Sequence, residues 1–168
     1  MDIRFEDKVV VITGAGGGIG NAMARGFAAD GAIVAVCDIK GGDKTVEEIV
    51  SAGGRAKEYI LDVTDIDCAH RVMGEIAGDF GGIDVMINNA GINVGPDKRQ
   101  FTDEFDDEWW DKILDVDLNG VFDDTLTLIE LANEEEDESL FDECRTSVDD
   151  FVASLDAMTL STLLTGEY

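Results

Sequence analysis

Histidine occurs once in these 168 residues, tyrosine twice, and basic side chains 12 times against 38 acidic ones. The cysteines, Cys37, Cys68 and Cys144, lie far apart and form no C-x-x-C pair. With His70 as the single histidine, the common zinc spacings are excluded, and no disulfide framework is expected. The shortage of basic side chains leaves a net charge of −26. That charge argues against nucleic-acid binding through phosphate neutralisation and against docking on an anionic membrane. No stretch approaches the roughly 18 apolar residues of a membrane span. The opening Met1-Asp2-Ile3-Arg4-Phe5 lacks the apolar run of a signal peptide, so the cytosol is the expected compartment.

What is present divides the chain in two. Apolar residues make up 45%, enough to fill a core, and the length suits one domain or two small ones. Residues 1–100 carry 16 acidic and 10 basic side chains; residues 101–168 carry 22 and 2. Glycine breaks at the same place, with 17 of 19 in the first hundred residues. A salt-adapted protein would be acidic along its whole length, so two pieces are expected: 1–122, and an acidic helical tail over 123–168.

The first piece alternates short apolar runs with helical patterns. Lys8 to Thr13, Ile33 to Cys37, Ala56 to Leu61 and Ile83 to Ile87 read as strands. Between them, Ile19 to Ala29 and Asp43 to Ala52 read as helices, as does the 3,4-spaced series Ile66, Ala69, Met73, Ile76, Phe80. This alternation predicts an α/β fold with a parallel sheet and helices on both faces. In the second piece, Phe105, Trp109, Ile113 and Val116 mark one helix, and Phe122, Leu126 and Ile129 another. An acidic block, Asn133 to Glu138, precedes a third apolar face from Leu140 to Leu155.

Thr13-Gly14-Ala15-Gly16-Gly17-Gly18-Ile19-Gly20 joins the first strand to the first helix. Glycines at such a junction permit a tight turn, admit a pyrophosphate and let helix pack on strand. The helix's first N–H groups then face the phosphates. The general G-x-G-x-x-G spacing fails, because Ile19 stands where its third glycine would be. The spacing present is T-G-x-x-x-G-x-G, which is more specific in a strand-turn-helix context. Asp38 ends the second strand, where a carboxylate can accept the adenosine ribose hydroxyls and repel a 2′-phosphate. The plain alternative is a strand-end turn residue. With the loop in place NAD is the expected cofactor, and Gly17 offers no basic side chain to a 2′-phosphate.

The loop, Asp38, Asp62-Val63 after the third strand and Asn88-Asn89-Ala90-Gly91 after the fourth occur in an order that resembles the short-chain dehydrogenase/reductase family. The resemblance runs from about Phe5 to Phe122. It implies a Rossmann-like doubly wound parallel sheet in strand order 3-2-1-4, with Gly14, Gly16, Gly17, Gly18, Ile19 and Gly20 at the pyrophosphate. Asp38 and Ile39 would lie at the adenosine ribose, Asp62 and Val63 beside the adenine, and Asn89, Ala90 and Gly91 along the cofactor ribose. Asn88 is expected to tie down neighbouring backbone instead.

Catalysis in the family implies an Asn, a Ser, a Tyr and a Lys, the tyrosine hydroxyl serving as general acid/base. At the family's Asn position this chain has Asp117, in Val116-Asp117-Leu118-Asn119-Gly120-Val121-Phe122. The Tyr-x-x-x-Lys pattern is missing: Tyr59 lies in the third strand and Tyr168 is the last residue. His70, Cys37 and Trp109 read as structural, and the carboxylates of 103–108 as a charged helix surface. The fourth strand would lack its usual neighbour, so a homo-oligomer through that edge and the following helices is expected. Three readings stay open: an NAD(H)-binding module without its own chemistry, an NAD-dependent alcohol/carbonyl oxidoreductase of the family that is truncated or completed by another polypeptide, and a damaged or shifted reading frame beyond residue 122.

Overall fold

The computed structural model describes residues 5–94 and 106–132. Four parallel strands, β1 (Val9–Thr13), β2 (Ile33–Asp38), β3 (Arg55–Ile60) and β4 (Val85–Ile87), form one sheet in the order β3-β2-β1-β4. Val9 to Thr13 align with Ile33 to Cys37, and Val10 to Ile12 with Val85 to Ile87. Helices α1 (Gly18–Ala29), α2 (Asp43–Ser51) and α3 (Ile66–Phe80) fill the crossovers. The expected parallel sheet and its strand order are therefore present.

All five residues of β1 are buried, as the unbroken apolar run requires of a strand covered on both faces. Alternate side chains feed two cores. Val10, Ile12, Val34 and Val36 pack with Ala24, Ala28 and Ile49 of α1 and α2. Val9, Val11, Ala35 and Cys37 pack with Ala69, Val72, Met73 and Ile76 of α3. Burying Val72, Met73 and Ile76 contributes roughly 1.5–3 kcal/mol each. Helix α3 begins where the Asp65 carboxylate accepts the Cys68 N–H at 3.0 Å, and ends at left-handed Gly81.

Two boundaries differ from the sequence reading. Strand β3 spans Arg55–Ile60, one residue earlier than expected. Strand β4 begins at Val85 rather than Ile83, because Asp84 turns its carboxylate onto the Val9 N–H (2.8 Å) and Lys8 Nζ (2.6 Å). The two expected helices beyond the sheet are α4 (Asp107–Leu114) and α5 (Gly120–Ala132), joined without a break by a π-helical segment, Asp115–Asn119. The boundary expected at residue 122 falls inside α5. Phe105, the acidic block, the face from Leu140 to Leu155 and Tyr168 lie outside the described residues.

Candidate functional site

At the C-terminal ends of the strands a groove of about 610 Å³ opens, within the range of small-molecule sites. It lies where the winding reverses between β1 and β4, which is where doubly wound sheets take their ligands. Its floor is the loop from Gly14 to Gly20. Gly14 and Gly18 have φ of 64° and 55°, conformations that glycine adopts without strain. Gly16 and Gly20 are needed for closeness: a Cβ would stand 2.5 Å from the Gly41 carbonyl in the first case and 2.3 Å from the Gly14 carbonyl in the second. Gly17 has open space around it. Gly17 at the N-cap of α1 brings no capping side chain, which leaves the helix's first N–H groups to a ligand.

The walls come from the other strand ends. Asp38 is fixed by two backbone donors, with Gly16 N–H on Oδ2 and Lys40 N–H on Oδ1, both at 3.0 Å. A carboxylate has about four acceptor positions, so two N–H bonds leave it able to take more. Ile39 follows and is exposed. Asp62 folds its carboxylate onto the Thr64 N–H and hydroxyl, which shapes the turn that holds Val63. Beyond β4, Asn89, Ala90 and Gly91 line the opposite wall. The loop, Asp38, Ile39, Asp62, Val63 and the Asn89–Gly91 turn thus come together; Gly18 is in the loop but does not line the groove.

Both asparagines hold backbone through their side-chain amides. Asn88 donates to the Thr125 hydroxyl (3.2 Å) and the Val121 carbonyl (3.4 Å), tying β4 to α5. Asn89 also holds backbone, donating to the Thr13 carbonyl at 2.9 Å. It therefore presents its chain, rather than a free amide, to the groove. Asp117 sits in the π-helical segment and accepts the Ile92 N–H at 2.8 Å, just behind Gly91.

Sequence reasoning missed several contributors. The buried Thr13 hydroxyl accepts the N–H groups of Asn89 (3.1 Å) and Ala90 (3.0 Å), and so sets the turn. The threonine of the T-G pair was its one visible sign. Ile92 and Val116 line the groove, and Lys40 is the cationic lining residue among the described residues. Ile19, Ile39 and Ile92 are large apolar side chains left exposed on one concave surface, with Ile19 76% accessible. Such a grouping marks a place where a ligand covers apolar surface.

The remaining candidates stand apart. Cys37 is buried, and its thiol is pushed well above its usual range by that burial, with Asp124 and Asp38 adding to it. Tyr59 lies on the α3 side, where its hydroxyl donates to Asp79 at 2.6 Å. Burial and that bond both raise its pKa. His70 is exposed on α3, and among the described residues no group of three metal-ligating side chains occurs. Trp109 is half-buried, with Lys112 Nζ 5.5 Å from its ring centre.

An open parallel sheet, helices on both faces and a glycine loop at the reversal point define a Rossmann-type protein. The comparisons narrow that class. The model of the short chain dehydrogenase family matches residues 8–137. Meso-2,3-butanediol dehydrogenase of Serratia marcescens is 41% identical over 121 residues, covering 71% of this chain and 46% of that one. The 3-oxoacyl-[acyl-carrier-protein] reductase of Thermotoga maritima is 37% identical over 129 residues, covering 76% and 51%. Among solved structures, a short-chain dehydrogenase/reductase from Mycobacterium marinum superposes with a TM-score of 0.70 at 31% identity, covering 74% of this chain and 50% of that one. A putative D-mannonate oxidoreductase from Haemophilus influenza with bound NAD gives a TM-score of 0.67 at 28% identity, covering 76% and 51%. The chain belongs to the short-chain dehydrogenase family. It spans about half the length of the relatives it matches.

Proposed function

We propose that this chain is an NAD(H)-binding module of the short-chain dehydrogenase family that performs no hydride transfer by itself. The observation that carries the reading is the Asp38 carboxylate, pinned by the Gly16 and Lys40 N–H groups at the wall of a glycine-floored groove. The cradle fits a dinucleotide: a Cβ on Gly14, Gly16 or Gly20 would collide with the surrounding atoms. The α1 N–H groups would meet the pyrophosphate, and Ile19 and Ile39 would cover apolar cofactor surface. Asp38 would accept from the adenosine ribose and repel a 2′-phosphate. The bound cofactor would supply a hydride donor or acceptor.

Proton transfer is where this chain falls short. Tyr59 donates to Asp79 and does not line the groove. Four positions beyond Tyr59 stands Val63 rather than a lysine, so Tyr59 heads no Tyr-x-x-x-Lys. Loss of a positioned general acid typically costs about 10²–10⁴ in rate. A second reading, an NAD-dependent alcohol/carbonyl oxidoreductase that is truncated or completed by another polypeptide, is favoured by the half-length match to the relatives. Both readings suit a protein of the cytosol.

Titration calorimetry tests the cofactor assignment. NADH is expected to bind more tightly than NADPH, and Asp38→Ala to weaken NADH by about 1.5–3 kcal/mol while narrowing the gap. Equal affinity of the unmodified chain for both would remove Asp38 from the site. A panel of alcohols and carbonyl compounds, followed at the nicotinamide absorbance, tests the chemistry. Binding without turnover is expected; turnover abolished by Asp38→Arg would show a working active site.

A further inference from the structure

The position of Asp117 has a consequence for which redox form of the cofactor the groove prefers. The glycine loop and Asp38 occupy the β1–β2 side of the groove. A dinucleotide straddling the reversal point must then place its other half beyond β1, over the end of β4. There the wall is Gly91, Ile92 and Val116. Asp117 follows Val116 directly, and its Oδ1 accepts the Ile92 N–H at 2.8 Å. A Cβ built on Gly91 would come within 3.4 Å of the same oxygen. The carboxylate is therefore fixed one residue behind the wall, in a π-helical turn that holds it facing the loop after β4. One N–H bond orients a carboxylate but does not neutralise it. No ion pair involves Asp117 among the described residues, and Lys40, the cationic lining residue, lies at the opposite end.

We infer that Asp117 is a specificity-determining residue for the redox state of the cofactor, favouring oxidised over reduced nicotinamide. The inference rests on the NAD(H) reading above. The oxidised ring carries a formal positive charge and the reduced ring none, so a fixed negative charge beside them attracts only the first. The short-chain family resemblance implies a neutral asparagine at this position, so the preference belongs to the residue in this chain. Because Asp117 is exposed, salt screens its effect.

The test is to measure NAD⁺ and NADH dissociation constants by calorimetry for the whole chain, for Asp117→Asn and for Asp117→Ser. Asparagine keeps an oxygen for the Ile92 N–H and removes only the charge; serine repeats the charge removal should the amide disturb the turn. Both variants are expected to lower the preference for NAD⁺ by roughly threefold or more, the order expected for unit charges several ångströms apart in a partly exposed site. The difference from the unmodified chain should shrink as salt rises. Asp115→Asn changes net charge equally; the Asp115 carboxylate accepts from Asn119 instead (3.2 Å). It is expected to leave the ratio in place. An unchanged ratio in both Asp117 variants, or an equal shift in Asp115→Asn, would overturn the inference while leaving NAD(H) binding intact. Failure of the unmodified chain to bind either form would overturn both readings.

Discussion

A Cβ added at Gly20 would lie 2.3 Å from the Gly14 carbonyl oxygen and 2.8 Å from the Ala15 Cα, whereas one added at Gly17 would meet nothing within 4 Å. Gly20→Ala is therefore expected to lift α1 off the end of β1 and abolish NADH binding. Gly17→Ala should shift stability by no more than about 0.5 kcal/mol. Denaturant unfolding and NADH titration of the two variants separate these outcomes. A second residue-scale effect comes from Asp124, 1% exposed, both of whose carboxylate oxygens lack a hydrogen-bond partner among the described residues. Burial first, and neighbouring Asp123 second, push its pKa up to about 7. The folded state thus holds this proton at pH values where the unfolded chain has released it. That makes Asp124 harmless below about pH 4 and increasingly destabilising from there to about pH 7. Asp124→Ala should raise stability at pH 8 by on the order of 3 kcal/mol and change it little at pH 4, as urea unfolding at the two values would show. Nothing in the sequence marked this residue, because an aspartate beside another on a helix reads as surface; only the packing of α5 makes it costly.

At the scale of elements, legibility followed burial. Strands β1 and β2 were readable because helices cover both their faces, which demands an unbroken apolar run. Strand β4 was readable in position but not in start: Asp84 pairs its N–H with the Val9 carbonyl and gives its carboxylate to the Val9 N–H and Lys8, and the strand proper begins one residue later. The helices after it were readable as apolar faces. The π-helical turn between them was not, because the extra residue it admits has no compositional mark. Asp38, Asp62 and the Asn89–Gly91 turn were legible by their places after strands, whereas Lys40 and Ile92 reach the groove only through the course of the loops. The junction of β1, β4 and α5 rests on Thr13 and Asn88. Thr13→Val keeps the shape and removes the acceptor shared by the Asn89 and Ala90 N–H groups. It is expected to destabilise the fold by roughly 1–3 kcal/mol for each donor left without a partner and to weaken NADH binding. Retained stability together with retained binding would show that water replaces the hydroxyl.

For the whole molecule, a charge of −26, with 22 of 38 acidic side chains beyond residue 100, sets how copies meet. The β4 side chains are only half-buried, and an incompletely covered strand edge invites pairing. Like-charge repulsion opposes that pairing most at low ionic strength. Self-association is accordingly expected to rise with salt, and light scattering that shows a monomer from low to molar salt would refute it. The pairing of β1 with β4 also bears on how the fold is reached. Val9 and Asp84, which meet at the start of that ladder, are 75 positions apart, and only three residue pairs follow them. The β1–β2 ladder joins Val9 to Ile33, a much shorter loop, with five pairs. Closing the longer loop costs about 0.6 kcal/mol more per doubling of length, for fewer hydrogen bonds in return. Docking of β4 should therefore be the late and slow event in folding, and its amides the first to open in the native state. Hydrogen exchange should find Val85 to Ile87 protected less than Val34 to Cys37, so that the wall of the groove formed by the turn after β4 is assembled last and released first.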